Sequence, residues 1–247
     1  MTGITEFHVR HLERLPLGTT YPGVVERIIR LMHTSPLTPQ DALVIDHTGV
    51  GRPVYDMFIG RGLNPIGVTI TSGDTISKEG MVYKVPKGML IARVTALLHE
   101  GRLKIAKELA DAPALLEELA AFRATVTESG RWTFGARSGA HDDLVLALAI
   151  ASWRAHGGVG HQGLMDYIEK DLGSGPETKL FVGLDLGQSQ DPTAICIVER
   201  RQVAQPAASQ ERQPLPDGAT VTDIAHLAPP PPAPPADPLL STFSRSR

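Results

Sequence analysis

Cysteine occurs once, at Cys196 inside an apolar run. That excludes an internal disulfide and a cysteine-built zinc site, and it fits a reducing compartment. No apolar stretch approaches the ~20 residues that cross a bilayer, and no basic-then-apolar leader opens the chain. A cytoplasmic protein with no membrane role is therefore expected. Charge of one sign is also scarce. A net charge of −3 over 247 residues does not make the whole chain a polyelectrolyte for nucleic acid, although local basic patches can still meet phosphate. A phosphate loop of the form Gly-x-x-x-x-Gly-Lys-Ser/Thr is missing too. Thr48-Gly49-Val50-Gly51-Arg52 lacks its lysine and its spacing and reads as a turn into a helix. What the chain does have is an ordinary apolar content of 42%, enough to build a core at a length that suits one good-sized domain plus appendages.

Taken in order, residues 6–15 read as a strand with Phe7, Val9, Leu12 and Leu15 inward. Tyr21-Pro22 opens a helix whose stripe is Val24, Val25, Ile28, Ile29, Leu31 and Met32. Ala42–Asp46 is a short buried strand, followed by a glycine-rich turn and a helix carrying Val54, Met57, Phe58 and Ile59. Residues 65–71 form the next strand, and this strand–helix–strand spacing predicts a mixed or largely parallel sheet. After a turn at 72–74, Val82–Pro86 is extended. Lys87–Glu100 forms a helix with Leu90, Ile91, Val94, Leu97 and Leu98 on one side, and Leu103 and Ile105 make a brief edge strand. Another helix starts at Pro113 with Leu115, Leu116, Leu119 and Phe122, and a hairpin or loop turns around Gly130. An alanine-rich helix then runs from Asp142-Asp143 to about His156, and a shorter one covers 162–171.

Gly173-Ser174-Gly175-Pro176 is a joint. Beyond it, Leu180–Asp185 and Thr193–Glu199 form a β-hairpin. Half of the twenty prolines lie after residue 200, so 202–247 reads as a disordered tail of polyproline character. The organisation expected is a main domain over 1–172, a linker over 173–178, the hairpin over 179–201 and the tail.

The chemistry is carried by acids. Asp46 ends one strand, Asp185 ends another, and Asp142 and Asp143 open the alanine-rich helix. A single Asp at a helix start or strand end is ordinary capping or turn chemistry. Acids from adjacent strand ends and a helix start can converge, however, and such an oxygen-only set suits Mg²⁺ or Mn²⁺ better than zinc. Two such ions roughly 3.5–4 Å apart can drive phosphodiester hydrolysis. His141 and Asp191 are auxiliary candidates beside this set. Arg10, Arg14, Arg52, Lys78, Lys84, Lys87, Arg93, Arg131 and Arg137 are the basic residues available to a duplex, with no recognition-helix or zinc-finger pattern among them.

Four stretches, Val44–Gly51, Val68–Gly73, Val85–Lys87 and His141–Ala147, resemble the nuclease domain of phage terminase large subunits. Gly183–Ile195 resembles the first hairpin of that domain. The resemblance spans roughly residues 6–200. It implies a ribonuclease-H-like α/β fold, a mixed β-sheet flanked by helices, and a metal-dependent endonuclease acting on double-stranded DNA in the host cytoplasm. It further implies Asp185, Asp46 and one or both of Asp142 and Asp143 as ligands of two Mg²⁺ or Mn²⁺ ions. A separate terminase ATPase, a small terminase subunit or the portal are the partners it implies. In the family the Asp185-type hairpin comes first; here it comes last. Either the domain is circularly permuted or the hairpin begins a truncated second copy. Three other readings compete: an inactive remnant that binds DNA or a packaging partner, an actin-like or sugar-kinase-like ATPase, and a junction resolvase.

Overall fold

The computed structural model describes residues 3–121, 123–126, 132–135, 141–157, 179–187 and 191–204. Strand β1 (Gly3–Arg14) leads into helix α1 (Tyr21–Met32). Thr20 caps α1 by accepting from the Gly23 N–H, and Pro22 sits in its first turn, where no amide partner is needed. Strand β2 (Ala42–Asp46), helix α2 (Gly51–Gly60) and strand β3 (Ile66–Thr71) follow. A small hairpin comes next, of β4 (Ser77–Glu79) and β5 (Val82–Pro86), then α3 (Lys87–His99), the edge strand β6 (Leu103–Ile105) and α4 (Ala112–Ala121). Strands β7 (Arg123–Val126) and β8 (Trp132–Gly135) pair only with each other among the described residues. Helix α5 (Asp143–Ala155) and strands β9 (Lys179–Asp185) and β10 (Ala194–Ala204) end the described elements.

Eight strands make one mixed sheet in the order β4-β5-β3-β2-β9-β10-β1-β6. The last hairpin in sequence thus lies in the middle of the sheet, with β9 parallel to β2 and β10 antiparallel to β1. Alternation divides the side chains between two faces. Val44, Val68, Phe181, Cys196 and Val198 pack with α3, α4 and α5 on one face. Leu43, Ile45, Val182, Leu184 and Ile195 pack with α1 and α2 on the other. Helix α5 is apolar on every side and lies buried along almost its whole length, as such a helix must be in water.

Strict alternation would turn Leu12 away from Phe7 and Val9. A β-bulge between Val9 and His11 inserts one residue, so that Leu12 joins Phe7 and Val9 on the α5 face. The same phase shift carries Arg14 to that face. Leu15, beyond the strand, packs on the opposite side with α1 and α2.

Several expectations shift in detail. Strand β4 was not expected. Met57, Ile59, Leu98 and Leu116 are exposed rather than inward, because each helix offers the sheet only one narrow stripe, such as Val54 and Phe58 in α2. The final strand runs to Ala204, past the expected hairpin end at 201, because β1 begins early enough for Gly3 to pair with Ala204. The turn at Gly130, the helix over 162–171, the joint over 173–176 and the tail from 205 onward lie outside the described residues. No helix among the described residues is long and apolar enough to cross a membrane.

Cys196 is fully buried in β10, and burial pushes its thiol well above the ordinary range. Since the thiolate is the reactive form, native protein should resist alkylation by iodoacetamide at pH 8, whereas unfolded protein should be fully labelled. Mass spectrometry of the two samples checks this; labelling at equal rates would contradict it.

Candidate metal centre

Asp46 and Asp185 end neighbouring parallel strands. The register pairs Val44 with Gly183 and Ile45 with Leu184, which sets the two acids side by side one step further on. Across β10, Asp185 is opposite Ala194, and Ala194 is opposite Arg14. One row therefore reads Asp46, Asp185, Ala194, Arg14. By the two-residue period, Asp46 shares its face with Val44 and Asp185 shares its face with Gly183, the face that α5 covers.

Two glycines permit this geometry. A Cβ on Gly183 would lie 2.1 Å from the Ala147 carbonyl oxygen and 2.9 Å from Ala151 Cβ. Only the bare strand lets α5 press onto the sheet at that point and bring its first residues to Asp185. Gly51 plays the same part for α2: its Cβ would stand 2.0 Å from the Asp46 carbonyl oxygen. Between the two, Thr48 N–H donates to Asp46 Oδ1 at 2.8 Å, an Asx-type turn that fixes the carboxylate. Thr48 Oγ1 in turn accepts from Ile70 N–H at 3.0 Å, tying this loop to β3.

Helix α5 supplies the remaining acids. Asp142 is at its N-cap position and Asp143 is its first residue, and their side chains diverge. Asp142 Oδ2 accepts from Lys87 Nζ at 2.7 Å, at the start of α3. Asp143 accepts from Arg14 Nε at 2.8 Å and from Arg14 Nη2 at 3.3 Å. The Asp142 side chain is 28% exposed and that of Asp143 only 4%, so Asp142 is the one open to solvent. His141 lies 3.7 Å from Asp191 in an exposed pair that links the start of α5 to the residues before β10.

Arg14 is the hub behind the acids. Besides Asp143 it binds Glu118 of α4, and its backbone N–H donates to Asp111 at 2.9 Å. Burial works against its charge, but the bond to Asp143 and the nearby negative field outweigh that and raise its pKa. Glu118 is itself buried, and burial pushes its pKa up to about 7, with Val145 N–H and Arg14 holding it down.

The electrostatics point one way. Asp185 is raised well above the usual carboxylate range, first by burial and then by Asp46, Asp142 and Asp143, with Lys87 only partly offsetting them. Burial also raises Asp46, against hydrogen bonds from Thr48 and Asp185. Carboxylates outnumber cations here, and a buried anion without a counter-charge is costly. The donor set is all oxygen and hard, so it fits Mg²⁺ or Mn²⁺. As the side chains lie, no three His, Cys, Asp or Glu groups among the described residues stand close enough to hold a metal ion. Lys87 and Arg14 each hold one of the carboxylates in question, and a cation would have to compete with Lys87 for Asp142.

The structure thus sets Asp46 beside Asp185 at adjacent strand ends and puts Asp142 and Asp143 at the start of α5, where their charges are felt at Asp185 without the side chains closing into one ligand group; His141 and Asp191 form an exposed pair beside them. Four of the basic residues available to a duplex make side-chain contacts within the chain: Arg10 with Glu199, Arg14 with Asp143 and Glu118, Lys87 with Asp142, and Arg93 with His156. Arg131 and Arg137 lie outside the described residues. Glu118 and Asp111 were not anticipated. The signal for Glu118 was present, since it falls three residues after Leu115 on the inward stripe of α4.

A family model described as the terminase RNaseH-like domain matches residues 17–152, a span that contains Asp46, Asp142 and Asp143 and stops short of Asp185. No curated protein matches the sequence. Among solved structures, the large terminase nuclease of thermophilic phage G20c, determined with bound cobalt, is 21% identical with a TM-score of 0.42, covering 61% of this chain and 80% of that one. The large terminase nuclease domain of Thermus phage P74-26 is 20% identical with a TM-score of 0.40, covering 60% of this chain and 78% of that one.

Proposed function

Because the chain belongs to the terminase RNaseH-like domain family, we propose that it is a metal-dependent endonuclease hydrolysing phosphodiester bonds of double-stranded DNA. The observation that carries this reading is the placement of Asp46 and Asp185 at two adjacent strand ends, with Asp142 at the start of α5 close enough for its charge to act on Asp185. Asp46 and Asp185 would form the floor of the ion site and Asp142 its outer wall. Mg²⁺ or Mn²⁺ bound there, as a pair, would generate hydroxide from water at neutral pH and neutralise charge developing on the phosphate. The chain's own contribution is to hold these carboxylates at fixed separations on rigid elements, with Thr48 orienting Asp46 and Arg14 holding Asp143. Asp143, tied to Arg14 and buried, serves chiefly to seat α5. His141 with Asp191 would border the path of the substrate.

We read the hairpin of β9 and β10 as completing this same domain, in permuted order, because β9 pairs with β2 and β10 with β1. Action within a packaging complex, alongside a separate ATPase, small subunit or portal, belongs to the same proposal. A junction resolvase would use the same acids; branched against linear duplex as substrate separates the two.

The metal site is tested without catalysis. Mn²⁺ at about 100 times its dissociation constant should stabilise the wild type by about 2.7 kcal/mol, which is on the order of 5–10 °C in Tm for a domain of this size. In Asp46→Asn most of that rise should vanish. Equal shifts in both proteins, or none in the wild type, would refute the site.

A further inference from the structure

The N-terminus of α5 is capped in an unusual way. Asp is a preferred N-cap because its carboxylate accepts the N–H of the second or third helical residue. Asp142 occupies that position: its backbone carbonyl accepts from Leu146 N–H at 2.9 Å and starts the helical ladder. Yet its side chain makes no cap hydrogen bond, and its backbone (φ −136°, ψ 15°) departs from the extended conformation an N-cap normally adopts. The N–H of Val145, the third helical residue, is not left without an acceptor. Glu118 Oε2, from α4, accepts it at 3.0 Å in a buried contact. The other carboxylate oxygen of Glu118 is held by Arg14, which also holds Asp143.

We propose that Glu118 is a positioning residue that caps α5 in trans and thereby leaves the Asp142 carboxylate turned away from its own helix, where it meets Lys87 and where a bound cation would compete for it. An Asp142 carboxylate turned back onto its own helix would be drawn away from the outer wall of the metal site. The chain avoids this by borrowing an acid from α4 as the cap. Arg14 keeps that acid in place by bridging it to Asp143. Without Glu118, Val145 N–H would be a buried donor lacking a partner, and Asp142, at the N-cap position, is the residue whose side chain ordinarily accepts that donor. Outer groups that orient metal ligands typically govern affinity by about 10–100-fold.

The inference rests on the metal-site reading above, and the test separates the two. Mn²⁺ alone is titrated by calorimetry into the full chain as wild type, Glu118→Ala, Glu118→Gln, Asp142→Ala and the Glu118→Ala/Asp142→Ala double variant. Glu118→Ala should weaken Mn²⁺ binding by about 10-fold or more. Glu118→Gln should recover most of that loss, because its amide oxygen still accepts from Val145 N–H. In the Asp142→Ala background, Glu118→Ala should change affinity by less than about 2-fold, since the group it releases is gone. Glu118→Leu, which keeps the volume but not the acceptor, replaces Glu118→Ala if the latter does not fold. Equal losses with and without Asp142 would make Glu118 a merely structural residue and overturn the proposal. So would a Glu118→Ala protein that binds as tightly as wild type. A wild type that takes up no Mn²⁺ overturns the metal site itself.

Discussion

Asp185→Asn should give a protein that melts higher than the wild type in EDTA and that no longer cleaves DNA in any divalent metal. Asp185 is buried at the end of β9 between Asp46 and the acids of α5, and burial and those charges push its pKa well up. The folded chain therefore disfavours the ionised carboxylate, whereas the unfolded chain ionises it above about pH 4. Stability contributed by this group is consequently lost as pH rises past that point, until the folded-state carboxyl also ionises. Asn keeps the shape, removes the titration and can donate to Asp46. The expected gain in melting temperature is largest near neutral pH and shrinks toward pH 4. Thermal melts in EDTA across that range check it. A variant that melts lower than wild type at pH 8 would mean that Asp185 is stabilised by a contact not accounted for above. Gain of stability with loss of function is the signature of a residue retained for chemistry.

Gly183→Ala should damage both the fold and the site. The added carbon would lie 2.1 Å from the Ala147 carbonyl oxygen, far inside van der Waals contact, and the atom it meets belongs to helix backbone rather than to a flexible side chain. Helix α5 would have to lift away from β9. Overpacking of this kind costs about 1–3 kcal/mol or more, and the fraction of a kcal/mol gained by stiffening the unfolded chain does not offset it. A fall in Tm on the order of 5–10 °C is expected. Mn²⁺ binding should weaken in parallel, because lifting α5 carries Asp142 away from Asp46 and Asp185. A Gly183→Ala protein with wild-type melting and wild-type Mn²⁺ affinity would contradict the account of how the sheet and helix meet.

Much of this site can be read from local sequence, because the acids stand at element ends where the pattern changes. Asp46 closes an apolar strand before a glycine turn, Asp185 does the same, and Asp142-Asp143 precede an unbroken apolar helix. The two-face sandwich follows from the same periodicities. What local pattern does not reveal depends on tertiary placement. The bulge at Arg10 breaks the alternation of β1 without any glycine or proline to announce it, so Arg14 reads as a surface base when it is the clamp on Asp143. Glu118 reads as one of two adjacent acids, Glu117 and Glu118, in a helix; only its spacing from Leu115 marks it as inward. The division between Asp142 and Asp143 is likewise undecidable from two identical neighbours. It is set by what faces them, Lys87 from α3 for one and Arg14 from β1 for the other. Sheet order is the largest item of this kind, since nothing local tells a terminal hairpin to enter between β2 and β1.

Cleavage of supercoiled plasmid by wild type and Asp185→Asn, each in Mn²⁺, Mg²⁺ and EDTA, tests the central claim most directly. The account predicts nicked and linear DNA from the wild type with either metal, none in EDTA, and none from Asp185→Asn under any condition. Metal-dependent cutting that survives in Asp185→Asn would place the hairpin outside the active centre and contradict the claim that β9 completes it.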